Sequence, residues 1–406
     1  MRALRASAGT SDDSEPLRAV VAGGSLGGLF AGLALADAGC EVEVFEKSDA
    51  EMESRGAGIV VQPETAYYLE RYGASTESVS TSCTRRQYLK SDGGVAQEGR
   101  ADQRFISWGV LYRSLKAAFP EERYHTGTAL VGFEQDEERV IARFAERQAD
   151  GHEEVADLLV CADGSGSTAR SLLLPGVSPE YAGYVAWRGL VDEDEVPALA
   201  GRFAERFTFF HMPDGHILCY LIPGPNGELA EGKRRLNWVW YVNVPEGEEL
   251  ETILTDKWGE QRQSSVPPGD IRQEVVEDLK GLARTRLPDV FRELVEATEE
   301  PFIQTIYDLS VPQMAFGRVC LLGDAAFVPR PHTAASTSKA AANALELAEH
   351  VRRSGGEVAE ALRRWEARQL KLGNYLKRVG QSLGDRSQFG GHPPPRRGIV
   401  TGEGER

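Results

Sequence analysis

The chain has 406 residues, 41% of them hydrophobic, enough for a sizeable core and for two or three closely packed subdomains. Its formal net charge of −16 repels phosphate backbones and anionic lipids, which argues against nucleic acid or membrane partners. The five cysteines, Cys40, Cys83, Cys161, Cys219 and Cys320, are scattered, with no CxxC and no metal-ligand spacing, so reduced cytoplasmic thiols are expected and no metal site.

Residues 1–16 are polar, lack an apolar h-region and read as a disordered leader. Residues 17–23 form a short apolar run ending in glycines, the pattern of a buried parallel strand. Residues 26–38 are small and apolar and predict a buried helix, ended by Gly39. EVEVFE, residues 41–46, alternates at period two and predicts the next strand. This βαβ unit is the usual start of a doubly wound sheet. Further strands are expected at 104–106, 128–133 and 158–162.

From about 203 to 244 the chain turns aromatic and β-branched, and Pro213-Asp214-Gly215 signals a hairpin. An antiparallel meander inserted into the first domain is expected there. A strand at 318–322 and a helix at 336–353 then resume the nucleotide-domain pattern. A last helix over 357–383 carries a heptad stripe of Val358, Leu362, Trp365, Leu372, Leu376, Val379 and Leu383, expected to pack on the body of the protein. Residues 384–406 are Pro/Gly-rich and read as a disordered tail. The expected fold is α/β. A Rossmann-like nucleotide domain in three segments (17–84, 105–180, 306–353) is interleaved with an antiparallel-sheet substrate domain (85–104, 181–305) and followed by the C-terminal helix.

The first chemical motif is VVAGGSLGGLFAGLALADAG, whose three dinucleotide glycine positions fall on Gly23, Ser25 and Gly28. Gly23 permits the tight turn, Gly28 lets helix and strand pack closely, and the helix N-terminus offers N–H groups to a pyrophosphate. Glu46, 18 residues after Gly28, ends the second strand where a carboxylate can accept from ribose hydroxyls. Ser25 departs from the glycine pattern. Two later motifs are CADGSGSTAR, with Asp163, Gly164 and Arg170, and LLGDAAFVPRP, with Gly323 and Asp324 ending a strand.

This ordered trio resembles the p-hydroxybenzoate hydroxylase superfamily, the class A flavin-dependent aromatic hydroxylases, over residues 17 to 350. Segments such as ISWGVLYRSLKAAFPEERYHTG, YAGYVAWRGLV and GDAAFVPRPHTAASTSKAAANA are similar to its dihydroxypyridine-hydroxylating branch. The resemblance implies non-covalent FAD, NADH or NADPH as reductant, and O2 as co-substrate. It further implies a small aromatic substrate hydroxylated through a flavin C4a-hydroperoxide. It places Lys47, Arg55, Gly58, Arg113 and Leu130 along the cofactor, with Pro331, Ala334, Ala335 and Ser336 in the loop beside the flavin. Phe327 stands where the superfamily usually has a histidine, and Ala334, Ser336 and Ser338 where it has Gly, Gly and Asn. A homodimer is among the assemblies consistent with such an enzyme. A flavin dehydrogenase or reductase on the same fold is the alternative activity, and a non-catalytic FAD-fold protein a third.

On the substrate side, alternation puts His216, Leu218 and Tyr220 on one strand face, and Asn237, Val239 and Tyr241 on another. A pocket of His216, Tyr220, Asn237 and Tyr241 is one reading, with Tyr220 or His216 orienting or deprotonating the substrate. His211 is a further candidate for binding substrate, but His211 and His216 flank the hairpin turn, where solvent exposure is expected. Arg188 is a candidate for holding an anionic substrate, or else a structural ion pair. His332, in the loop after Asp324, is a third candidate for touching substrate or flavin.

Overall fold

The computed structural model describes residues 15–49, 58–72, 74–146 and 151–391. The first sheet has six strands among the described residues, in the order Ala315–Phe316, Val319–Leu321, Leu158–Cys161, Arg18–Ala22, Glu41–Phe45 and Tyr124–His125. All neighbours are parallel except the edge hairpin of the first two. Leu158–Cys161 is buried at every residue, as a strand covered on both faces must be. The helix Leu26–Asp37 packs on this sheet with little polar surface, and Gly39 follows it at φ +92°. A three-stranded sheet, Thr128–Gln135, Val140–Glu146 and His152–Ala156, lies beside it.

The larger sheet contains ten strands among the described residues. Nine follow one path: Ser265–Val266, Phe302–Ser310, Glu180–Asp192, Arg235–Asn243, Gly215–Ile222, Arg206–Met212, Thr81–Leu89, Val95–Ser107 and Gly58–Val60. Phe327–Val328 pairs with Phe302–Ser310 off that path. Arg206–Met212 and Thr81–Leu89 run parallel, an exception to the expected antiparallel pattern. The segment boundaries expected at 84/85, 104/105 and 305/306 fall inside strands of this sheet, because its strands run past the change in residue composition.

Alternation separates the two faces of the sheet. Ile217, Cys219, Leu221, Leu236, Trp238 and Trp240 join one core with residues of the helices Pro197–Phe203, Gln273–Arg286 and Asp289–Glu296. Tyr184, Tyr220, Val239 and Tyr241 lie on the other face, in smaller clusters. The expected face-sharing of Leu218, Tyr220, Val239 and Tyr241 is therefore observed.

The C-terminal helix differs from expectation in length and in its buried face. It runs from Val358 to Phe389, so the tail expected from 384 begins later. Val358, Leu362 and Trp365 are buried as the heptad stripe requires, but Leu383 is 42% exposed. Beyond Trp365 the buried positions are Gln369, Gly373, Gly380, Gly384 and Gln388. The cause is close backbone approach. A Cβ at Gly373 would lie 2.5 Å from the Phe327 ring, and one at Gly384 would lie 2.6 Å from the Tyr184 hydroxyl. Asp385 also pairs with Arg330 at 2.7 Å, which anchors the added turn. Residues 1–14 of the expected leader and 392–406 of the expected tail lie outside the described residues. Among the described residues no helix is long and apolar enough to cross a membrane.

Candidate active site

The glycine loop is built around close contacts. Gly23 has φ +100°, and a Cβ there would meet the Ala162 carbonyl oxygen at 2.4 Å. A Cβ at Gly28 would lie 1.7 Å from the Gly23 carbonyl oxygen. Ser25 is the N-cap residue of the first helix, and its side chain makes no cap hydrogen bond. The first-turn N–H groups are thus left for another acceptor. Buried Glu46 accepts from the Gly24 N–H at 2.7 Å and the Ser48 N–H at 2.9 Å. Glu46 therefore braces this loop, a role that the sequence did not suggest. Lys47 is exposed and Leu130 is buried nearby in the strand Thr128–Gln135. Arg55 lies outside the described residues.

The two later motifs meet at one place. Asp163 accepts from Ser167 Oγ at 2.5 Å and from the Ala169 N–H at 3.2 Å, and Gly164 follows it in the turn. Buried Arg170 donates to the carbonyl oxygens of Ala325, at 3.1 Å, and Ser165, tying the two motif loops together. The Gly323 N–H donates to Asn343 Oδ1 at 3.3 Å. Asp324 is nearly half exposed, and its Oδ1 receives Lys339 Nζ at 2.8 Å and Ser336 Oγ at 3.3 Å. Pro331–Thr333 form a single 3-10 turn, Ala334 takes φ +51°, and Ala335 begins the helix Ser336–Arg352 without a side-chain cap. A left-handed alanine is strained.

The sheet face beside these loops gathers the candidate substrate residues. Gly58 N–H donates to Asn237 Oδ1 at 3.0 Å, and a Cβ on Gly58 would meet the Tyr220 ring at 2.5 Å. Register places Arg188 opposite Val239 and Tyr241 opposite His216. The His216 ring lies 4.8 Å from Tyr241 and 5.4 Å from His332, and His332 lies 4.6 Å from Tyr241. Tyr184 hydroxyl and His332 Nε2 are hydrogen-bonded at 2.8 Å. Arg188 Nε and Asn237 Nδ2 are buried without a hydrogen-bond partner among the described residues. The Asn237 side chain also favours the ionised form of the nearby Tyr220 hydroxyl.

The chain is 39% identical over 381 residues to 2,6-dihydroxypyridine 3-monooxygenase of Paenarthrobacter nicotinovorans, a match covering 93% of each chain. It belongs to the FAD-dependent aromatic monooxygenases. The monooxygenase is also 28% identical over 384 residues to 6-hydroxynicotinate 3-monooxygenase of Pseudomonas fluorescens, across 90% of this chain and 91% of the relative. The solved structure of 2,6-dihydroxypyridine-3-hydroxylase from Arthrobacter nicotinovorans superposes with a TM-score of 0.86 at 38% identity, covering 94% of this chain and 95% of that one. A family model described as FAD binding domain-like matches residues 181–308, most of the larger sheet's central strands and the helices behind them. The loops fit that cofactor: two helices begin without side-chain caps, and the glycine loop leaves no room for side chains.

Electrostatics of the monooxygenase's sheet face follow from burial. His216 is 5% exposed, not solvent-facing as its place beside the hairpin turn suggested. Its cover comes from the C-terminal helix, where Ser387 Oγ lies 2.5 Å from His216 Nδ1. His211 does remain exposed and stacks on His216 at 5.1 Å. Burial, helped by His332 and His211, pulls the His216 pKa well below its ordinary value. Burial, then the Arg330 charge, brings His332 down to about 3. Burial raises the Tyr220 and Tyr241 hydroxyls, while the nearby Arg188 charge opposes the rise in both. Arg113, on the helix Trp108–Ala118, donates to the Pro225 carbonyl at 2.7 Å. Sequence reasoning missed Tyr184, Ser387 and Arg86, which lies over the Phe207 and Phe209 rings at 5.3 and 5.5 Å. Tyr184 lies within the YAGYVAWRGLV segment, whereas Ser387 and Arg86 sit in no motif and reach the face through long-range packing.

Proposed function

We propose that this monooxygenase hydroxylates a small, hydroxylated N-heteroaromatic ring, using NAD(P)H and O2, with the ring held on the sheet face by Arg188, Tyr220, Asn237 and Tyr241. The observation that carries this reading is the buried Arg188 Nε without a partner, beside two tyrosines whose ionisation its charge favours. A buried donor left unpaired costs roughly 1–3 kcal/mol, which a ligand oxygen would recover. The names of the relatives, acting on a dihydroxypyridine and a hydroxynicotinate, support a ring of this kind.

FAD would lie along Gly23, Ser25, Gly28, Glu46, Lys47 and Leu130 at its adenosine end. Asp163, Gly164, Gly323, Asp324 and the stretch Pro331, Ala334, Ala335 and Ser336 would hold the flavin end, with Gly58 and Arg113 at its margin. Bound FAD supplies electron transfer from NAD(P)H and activation of O2. The protein's own contribution is to bind the ring, charge it and keep water out. Arg188 stabilises the substrate as its oxyanion, which makes the ring electron-rich. His332 and His216 are neutral near pH 7, so each can accept a hydrogen bond from a ring hydroxyl, although His332 near 3 retains a proton poorly. Proton loss is then driven chiefly by the Arg188 charge, with the histidines orienting the hydroxyl. The C-terminal helix closes the site over His216.

A screen of NAD(P)H oxidation across hydroxypyridines, hydroxynicotinate and phenols tests this reading. Hydroxypyridines are expected to raise the rate at least tenfold above basal. A rate that no ring compound raises, or that phenols alone raise, would contradict it.

A further inference from the structure

Lys339 is the one lysine among the largest fully buried side chains of the described residues. It lies in the first turn of the helix Ser336–Arg352, with 0% of its side chain exposed. A buried ammonium is stable only when paired and hydrogen-bonded. Here its partners are Asp324 Oδ1, at 2.8 Å, and the Phe327 carbonyl oxygen. Both partners are fixed. Phe327 pairs with Ser310 in the sheet, and its ring is pressed against the backbone of Gly373. Asp324 follows the Gly323 turn, whose N–H is held by Asn343, and Asn343 Nδ2 in turn donates to Gln369 Oε1 at 2.8 Å.

We propose that Lys339 is a positioning residue that fixes and neutralises Asp324 beside the bound flavin, so that this ion pair sets the reduction potential of the cofactor. The proposal rests on the reading that Asp324 faces FAD. A hydride from NAD(P)H carries two electrons and one proton, leaves the nicotinamide oxidised, and adds one unit of negative charge at its acceptor. An uncompensated Asp324 carboxylate in the same turn would oppose that added charge. Lys339 removes the opposition, and the uncapped start of its helix adds a positive dipole end on the same side. Sequence position alone does not show this pairing, because the two residues stand 15 apart across a turn and a loop.

The midpoint potential of bound FAD, measured without substrate against reference dyes, tests the proposal in three variants. Lys339→Met is expected to shift the potential to more negative values and to weaken FAD binding at least tenfold. Asp324→Asn leaves Lys339 unopposed and is expected to shift it to more positive values. The double variant is expected to return close to the parent value, which a merely structural lysine would not predict. A potential unmoved by either single change, or moved the same way by both, would overturn the proposal. If Lys339→Met takes up no FAD, the Asp324→Asn shift and the double variant decide alone by the same criteria. A parent protein that binds no FAD would instead overturn the cofactor reading.

Discussion

The two ends of the site settle their polar groups in opposite ways. At the glycine loop Glu46 is satisfied by two backbone N–H groups, and Tyr124 donates to the Gly24 carbonyl at 2.8 Å. On the sheet face Arg188 Nε and Asn237 Nδ2 are buried and unpaired among the described residues. The first end is braced from within, and the groups it leaves open are first-turn N–H groups fixed by the backbone. The second holds back hydrogen-bonding capacity, which costs stability until a ligand arrives.

Breaking the scaffold end should have the largest effect. Gly28→Ala places a methyl 1.7 Å from a backbone oxygen that cannot move aside, so about 3 kcal/mol or more of loop geometry is lost. The purified variant should lose its yellow colour on gel filtration, and retained stoichiometric FAD would show that the loop tolerates the change. Asp324→Ala comes next. Removing a charge-assisted acceptor should weaken FAD binding by roughly 1.5–3 kcal/mol, read by titrating apo-protein, with little change in circular dichroism.

The ligand-dependent end should respond with the opposite signature. Arg188→Met removes an unpaired buried donor, so stability without substrate, read by thermal melting, should hold or rise, by about 1 kcal/mol at most. Substrate affinity should fall at least tenfold. A melting temperature that falls sharply would mean that Arg188 is structural.

Legibility from sequence follows the same division. The glycine loop and the strand Glu41–Phe45 are local, so residue type and spacing revealed them, and the Asp163 and Asp324 turns were found through short motifs that carry a family resemblance. Period-two alternation also grouped Tyr220, Asn237 and Tyr241, because a strand fixes which neighbours share a face. What could not be read was the cover. His216 is buried by a helix whose Ser387 stands 171 positions away in the chain, and beyond Trp365 that helix docks through Gly373, Gly380 and Gly384 rather than its leucines. An apolar-stripe argument looks for large residues, whereas close backbone approach selects the smallest ones.

The effect on pH dependence vanishes at neutral pH and grows only as the solution is acidified. His216 and His332 have lowered folded-state values, so the unfolded chain binds their protons first as pH falls. Their contribution to stability is complete above about 6.5, the unfolded histidine value, and is lost as pH drops from there, in the case of His332 toward about 3. The slope is at most about 1.4 kcal/mol per pH unit for each group. His332→Gln should flatten the fall in melting temperature between pH 6.5 and about 4, and a variant as acid-sensitive as the parent would place the sensitivity elsewhere.

Oxygen insertion itself is tested most directly with labelled gas. The protein, with NAD(P)H and a hydroxypyridine that stimulates its oxidation, is turned over under 18O2 and the product weighed by mass spectrometry. One labelled oxygen atom in the ring product for each NAD(P)H consumed is the expected result. Unlabelled product, or hydrogen peroxide formed in place of hydroxylated ring, would contradict a monooxygenase acting on this substrate class.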